Sequence, residues 1–309
     1  MSEQIPLGPG AEFDAVRELL AHWGDRARGI GDDAAIVSVP RGERLIVSVD
    51  SAVEDRHFRS YLTPREIGYR AVAAALSDLA AMAALPLGVL IAIDLPSSWR
   101  DRLGQIADGI GEAVELAKTR VVGGNLSGSD ALSITTTVLG SAFTPLARST
   151  ARAGDDIYVT GTLGGSAAAL MLLEAGESAG AFRARIARPT PRIAEARWLA
   201  DAGATAAIDI SDGLVADARH VAHASGVSID LDATLVPTMT GVDVEVALAS
   251  GEEYELLITS SRPIDTLAFE SRFHVPLTRI GRVAGGPAGS VQILGARVAN
   301  VPGHDHFSR

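Results

Sequence analysis

Leu45-Ile-Val-Ser-Val-Asp50, followed by Thr63-Pro-Arg-Glu66 and Leu76-Ser-Asp-Leu-Ala-Ala-Met82, reads as a short strand feeding a long helix. The β-branched run at 45–49 delivers Asp50 at its C-terminal end. Thr63 suits an N-cap, Pro64 the first helical position, and Glu66 completes a capping box. The helix is predicted to run to about residue 84, with Ala71, Ala74, Ala75, Asp78 and Met82 near one face. Asp78 thus interrupts a stripe of small apolar residues.

The pattern repeats outward from there. Residues 87–93 read as a buried strand, and Ser98 opens a helix in which Leu103, Ile106, Ile110 and Val114 recur at helical spacing. Residues 120–122 form a brief strand ending in a Gly123-Gly124-Asn125 turn, and 132–139 a further strand. Pro145, Arg148, Arg152 and Gly154 mark a polar, turn-rich stretch at 144–155. Beyond it come a strand at 157–160, a glycine turn, a helix at 163–175 and another opened by Thr190-Pro191. An apolar run ends at Asp209, where Ser211 or Asp212 is expected to cap a helix reaching about residue 224. Strands follow near Ile229 and at 254–259. Strands, helices and tight glycine turns mixed in this way give an α/β (α+β) class in two domains, 1–145 and 146–309.

The 309 residues are 47% hydrophobic and 21% charged, and the formal charge of -11 lacks the basic face that nucleic acid requires. An acidic chain still binds an anionic nucleotide when metal ions supply the positive charge. Cysteine is absent, which removes disulfides, thiolate metal sites and a thiol nucleophile. The opening residues lack a basic segment followed by an apolar run, and no apolar stretch has membrane-spanning length. A cytoplasmic protein with no membrane partner is the expectation. P-loop, protein-kinase, nucleophile-elbow and H-E-x-x-H motifs are all absent.

What remains is carboxylates in places that favour apolar side chains. Gly29-Ile-Gly-Asp32-Asp33-Ala-Ala brackets an acidic pair, Asp50 ends a strand, Asp78 stands in mid-helix, and Asp209-Ile-Ser-Asp212-Gly-Leu holds two more. A helix cap accounts for one of the last two and a solvated turn for the first pair. Asp78 resists such an explanation, since it is disfavoured by propensity and flanked by residues that want burial. Carboxylates gathered in this way persist most readily around a hard cation, and Mg²⁺ held with substrate phosphates is the usual case.

Together these stretches resemble the thiamine-monophosphate kinase family of the aminoimidazole-ribonucleotide synthetase-like superfamily. The resemblance runs through Gly29–Ala35, Val49-Asp50-Ser-Ala-Val-Glu-Asp-Arg-His57-Phe58, Ser77–Met82 and Arg148-Ser149 before Gly154-Asp155. It continues through Asp209–Leu214, Ser250-Gly-Glu-Glu-Tyr-Glu-Leu256, Ile280–Val283 and Gly303-His-Asp-His-Phe307, and so covers nearly the whole chain in order. It implies a homodimer whose N-terminal ATP- and Mg²⁺-binding domain dimerises through its sheet, with a C-terminal domain completing the active site. Carried over by position, Asp33, Ser48, Val49 (through its backbone), Asp50, Asp78, Asn125, Asp209 and Asp212 correspond to the Mg²⁺ ligands. Gly124, Asn125, Arg148 and Ser211 correspond to ATP contacts, and His57, an acid of the Glu252–Glu255 segment (taken as Glu252) and His304 to contacts with thiamine monophosphate. The implied reaction is direct in-line transfer of the γ-phosphoryl group of ATP with several Mg²⁺ ions, so no side chain is expected to act covalently.

The chain departs from the family pattern twice. Asn125 replaces the aspartate of the usual Gly-Gly-Asp-Thr, removing one negative charge, and His304 stands where an aromatic ring is common. Two other readings stay open on the sequence: another superfamily member acting on a different acceptor, and a non-catalytic nucleotide-binding homologue.

Overall fold

The computed structural model describes residues 10–30 and 34–296. By internal contacts the chain divides into two compact units, Met1–Leu79 with Ala84–Thr144, and Ala80–Ala83 with Pro145–Arg309. Asp33 and His304 lie outside the described residues.

The first unit contains α1 (Ala11–Trp23), β1 (Arg44–Val53), α2 (Pro64–Ala81), β2 (Leu85–Leu95), α3 (Leu103–Leu116), β3 (Val121–Gly128) and β4 (Ser133–Ala142). Its sheet has the order β1-β4-β2-β3, antiparallel except for the β2–β3 pair. The capping box forms as the sequence predicts. The Thr63 backbone N–H donates to Glu66 Oε2 at 2.8 Å, and the Glu66 N–H donates to Thr63 Oγ1 at 3.3 Å. Leu103, Ile106, Ile110 and Val114 are all fully buried, which bears out the helical spacing read from the sequence.

Two glycines allow α2 and α3 to cross at backbone contact. A Cβ on Gly109 would lie 1.9 Å from the Arg65 carbonyl oxygen, and one on Gly68 would lie 2.1 Å from that of Ile106. No rotamer relieves a clash with backbone, so both positions require glycine.

Two boundaries differ from the sequence reading. β1 continues to Val53, so Asp50 sits within the strand rather than at its end. β3 runs through Gly123-Gly124-Asn125 to Gly128, so that stretch is strand and not turn. The reason is close packing: Gly124 pairs with Ile91 on β2, and a Cβ there would sit 1.9 Å from the Ile91 carbonyl oxygen.

The second unit holds β5 (Asp156–Thr160), α4 (Gly165–Glu174), α5 (Arg183–Ala187), α6 (Ile193–Ala202), β6 (Ala204–Asp209) and α7 (Leu214–Ser225). It continues with β7 (Ser228–Asp232), α8 (Val244–Ala249), β8 (Leu256–Ser260), α9 (Thr266–Phe273), β9 (Leu277–Ala284) and β10 (Val291–Leu294). Its sheet has the order β10-β7-β9-β5-β8-β6, parallel only between β10 and β7. Ile157, Val159, Ile208, Ile229, Leu257 and Ile280 form one buried cluster with Leu214 and Val221 of α7. The mixed α/β class expected from the sequence is the one observed. Among the described residues, no helix is long and apolar enough to cross a membrane.

Gly109→Ala should lower the unfolding free energy by about 1–3 kcal/mol, the usual cost of overpacking. Chemical denaturation measures this, and an unchanged midpoint would show that α2 and α3 can separate without loss.

Candidate active site

In the first unit the site begins with the alternation of β1 and β4. Asp50 lies opposite Thr136 and Ser48 opposite Val138, so both side chains share the sheet face that α2 covers. Asp78 stands half-buried on α2 in a run from Ala71 to Ala80 that is otherwise wholly buried. The Ser48 hydroxyl donates to Asp78 Oδ2 at 2.5 Å, joining helix to strand. The Ser48–Asp78 pair and Asp50, two residues along β1 on the same sheet face, present hard oxygen donors, and that donor chemistry suits Mg²⁺.

Asn125 stands elsewhere. It pairs with Ala92, which pairs with Thr135, which pairs with Ser51, and the Ser51 and Thr135 hydroxyls meet at 2.8 Å. This row lies on the opposite face of the sheet from Asp50. Asn125 is exposed there, as is the Val49 side chain at 62%. Gly124 is exposed on β3, where its lack of a side chain already has the packing reason given above. His57 is half-buried, and its Nδ1 accepts the Val53 backbone N–H at 3.1 Å. That bond leaves Nε2 to carry the proton of the neutral ring and to act as a donor. Nearby, Glu54, Phe58, Arg59, Trp99 and Arg102 line a cavity of about 600 Å³.

In the second unit β6 ends at Asp209, which is buried, and residues 210–213 turn into α7. Neither Ser211 nor Asp212 caps that helix, contrary to the sequence reading; Gly213 is the N-cap residue and makes no side-chain bond. The turn is held by Asp217, buried on α7. Its Oδ2 accepts the backbone N–H groups of Ser211, Asp212 and Gly213, each at 3.1 Å. Burial pushes the Asp217 carboxyl up to about 8, with Asp212 and Asp209 adding to the rise and the backbone N–H groups opposing it. Asp212 stays half-exposed, with His220 Nε2 3.8 Å from its Oδ2.

Residues 250–255 lie along this turn. The Glu252 N–H donates to the Ser211 carbonyl at 2.7 Å, and those of Glu253 and Tyr254 donate to Ile210. Glu253 and Glu255 are committed to buried ion pairs. Glu253 Oε1 accepts from Gly164 N–H at 2.8 Å, Ser166 N–H at 3.0 Å and Ser250 Oγ at 2.5 Å, while Oε2 meets Arg185 at 2.9 Å. The glycine turn before α4 therefore gives its N–H groups to an internal carboxylate. Arg192 clamps Glu255 through Nη2 at 2.6 Å and Nε at 2.8 Å. Burial alone would push the Glu255 carboxyl up, but Arg192 and Arg185 hold it below the usual carboxylate range. Of the acids at 252–255, Glu252 is the one left half-exposed, beside Ser211 and Asp212. Arg148 is also exposed in this unit, and its carbonyl accepts the Ser225 hydroxyl at 2.8 Å.

Known proteins share this arrangement of sequence and fold. The N-terminal domain of AIR synthase related protein matches residues 31–142, and its C-terminal domain matches 152–294. Thiamine-monophosphate kinase of Bacillus subtilis is 35% identical over 295 residues, covering 88% of this chain and 91% of that protein. The chain belongs to the thiamine-monophosphate kinase family. The thiamine-monophosphate kinase structure from Stenotrophomonas maltophilia superposes with a TM-score of 0.82 at 34% identity, over 94% of this chain and 98% of that one. The structure of AaThiL complexed with AMPPCP and TMP superposes at 0.78 with 31% identity, over 99% of this chain and all of that one.

Sequence reasoning missed Asp217, although it carries the same signal as Asp78: an acid inside an apolar helix, Leu214-Val-Ala-Asp-Ala218. Asp217→Ala would leave three N–H groups without their acceptor and should cost on the order of 3 kcal/mol. The folded chain holds the Asp217 proton more tightly than the unfolded chain does. Its contribution to stability is therefore complete below the ordinary carboxylate range and is lost as pH rises through about 8. Melting temperature measured from pH 4 to 8 should be flatter for Asp217→Asn than for the natural chain; parallel profiles would remove Asp217 as their source.

Proposed function

We propose that this chain is a thiamine-phosphate kinase that uses ATP to convert thiamine monophosphate to thiamine diphosphate. The observation that carries the reading is the Ser48–Asp50–Asp78 group, an all-oxygen donor set on one sheet face of a family member. Support comes from the names of its relatives and from the relative complexed with AMPPCP, an ATP analogue, and TMP, similar over nearly the full length of both chains.

In this reading Ser48, Asp50 and Asp78 hold Mg²⁺ in the first unit, Asp209 and Asp212 in the second, and Asp33 belongs to the same set. Val49, through its backbone, would belong with the β1 ligands, and Asn125, on the far edge strand and the opposite sheet face, would supply a neutral oxygen to a separate cation position. The bound ions offset the charge of two anionic reactants and the charge developing in the transition state. Gly124, Arg148 and Ser211 meet the nucleotide. His57 donates from Nε2 to the acceptor phosphate, and Glu252 and His304 contact the remainder of the acceptor. Asp217 keeps the 209–213 turn in place by holding its three amides. A phosphate oxygen of thiamine monophosphate attacks the γ-phosphorus, the bond from that phosphorus to the β–γ bridging oxygen breaks, and ADP leaves with that oxygen. No enzyme-bound phosphoryl group forms.

The first unit also supports a homodimer. Leu45, Val47 and Val49 alternate along edge strand β1 with exposures of 51%, 54% and 62%, an apolar row on the outer sheet face. A second copy of the chain is the proposed occupant, and ATP as co-substrate agrees with a cytoplasmic location.

Purified protein given ATP, Mg²⁺ and thiamine monophosphate should form thiamine diphosphate, and chelation should abolish this. Asp78→Asn should reduce turnover at least a hundredfold while the protein stays folded; near-normal turnover would remove Asp78 from the metal set. If a different phosphorylated acceptor is used instead, the substrate assignment falls and the chemistry stands. Light scattering should report a dimer for the natural chain and a monomer for Val47→Glu, and two dimers would move the interface elsewhere.

A further inference from the structure

Glu252 and Tyr254 both take up left-handed backbone, with φ of 56° and 54°, on either side of the buried Glu253. Neither side chain favours that region, so the surrounding structure must impose it. Two forces act on the segment. The amides of 252–254 are tied to the carbonyls of Ser211 and Ile210, and the carboxylates of Glu253 and Glu255 are held by Arg185 and Arg192.

Arg185 is the member that joins them. Its Nη2 meets Glu253 Oε2 at 2.9 Å and also donates to the Thr162 carbonyl at 2.8 Å, and its Nη1 meets Glu255 Oε1 at 3.1 Å. One planar guanidinium thus fixes the spacing of two acids that alternate along the chain, a geometry a lysine cannot copy. The Arg185 Nε–H is buried without an acceptor. An orphaned donor is a cost that an ion lattice serving stability alone does not need, and apolar side chains could fill such a place.

We propose that Arg185 is a positioning residue for acceptor binding: by bridging Glu253 and Glu255 it sets the left-handed 252–254 turn and thereby the direction of Glu252. The proposal rests on the reading that Glu252 meets the phosphorylated acceptor. A merely structural Arg185 would lower stability and affect both substrates alike.

The test compares full-length Arg185→Gln and Arg185→Lys with Glu252→Gln, the double variant Arg185→Gln/Glu252→Gln and the natural chain. In Arg185→Gln the KM for thiamine monophosphate should rise at least tenfold, while the KM for ATP stays within twofold. Arg185→Lys should recover only part of that loss, and the double variant should be no worse than Glu252→Gln alone. Amide hydrogen exchange at 252–254 should speed up in Arg185→Gln, with α7 unchanged. Equal rises in both KM values, or additive losses with unchanged exchange at 252–254, overturn the proposal. If Arg185→Gln does not fold, Arg185→Lys carries the same comparisons. If the natural chain forms no thiamine diphosphate, the functional reading fails on its own, and hydrogen exchange at 252–254 then decides the positioning role.

Discussion

A carboxylate taken out of water must be met by positive charge or by hydrogen-bond donors, and this fold meets its acids in different ways. Glu253 and Glu255 are neutralised from within by Arg185 and Arg192. Asp217, whose burial favours the protonated acid, accepts three backbone N–H groups. Asp78 receives the Ser48 hydroxyl and stays half-buried on the helix that covers the sheet face of Asp50. Structural acids are thereby separated from those whose oxygens are presented for a ligand. The separation explains why residues 250–255, with three glutamates in four positions, offer Glu252 alone. The others maintain the backbone that presents it.

The rest of the architecture serves these placements. Glycines at 68 and 109 let α2 and α3 cross at backbone contact. Gly213, at φ 113°, lets the 209–213 turn pass the Ala249 carbonyl, where a Cβ would come within 2.9 Å. Stability is given up locally, in left-handed turns and a buried unpaired Nε–H, where the candidate site is built.

Much of this was legible in the residues. The capping box at Thr63 and Glu66, the apolar spacing of α3 and the anomaly of Asp78 all depend on local periodicity, which a single sequence displays. Other features depend on contacts distant in the chain. Gly123-Gly124-Asn125 looks like a turn because glycine usually marks one; here glycine lets β3 approach β2, a reason visible only once Ile91 is beside it. Nothing local shows that Asn125 falls on the sheet face opposite Asp50, because that follows from the pairing register of four strands. The glycine turn before α4 resembles a phosphate loop until Glu253, nearly ninety residues away, is seen to occupy its N–H groups.

The central claim is that Ser48, Asp50 and Asp78 are gathered to hold a divalent cation and not to stabilise the fold. Thermal melting with and without Mg²⁺ tests it most directly, since a ligand that binds only the folded state adds about 2.7 kcal/mol at a hundred times its Kd. The account predicts that Mg²⁺ raises the Tm of the natural chain and has a clearly smaller effect on Asp78→Asn, which should melt at least as high as the natural chain when Mg²⁺ is absent. An equal Mg²⁺ response in both proteins, or an Asp78→Asn variant that melts far lower without the ion, would contradict it.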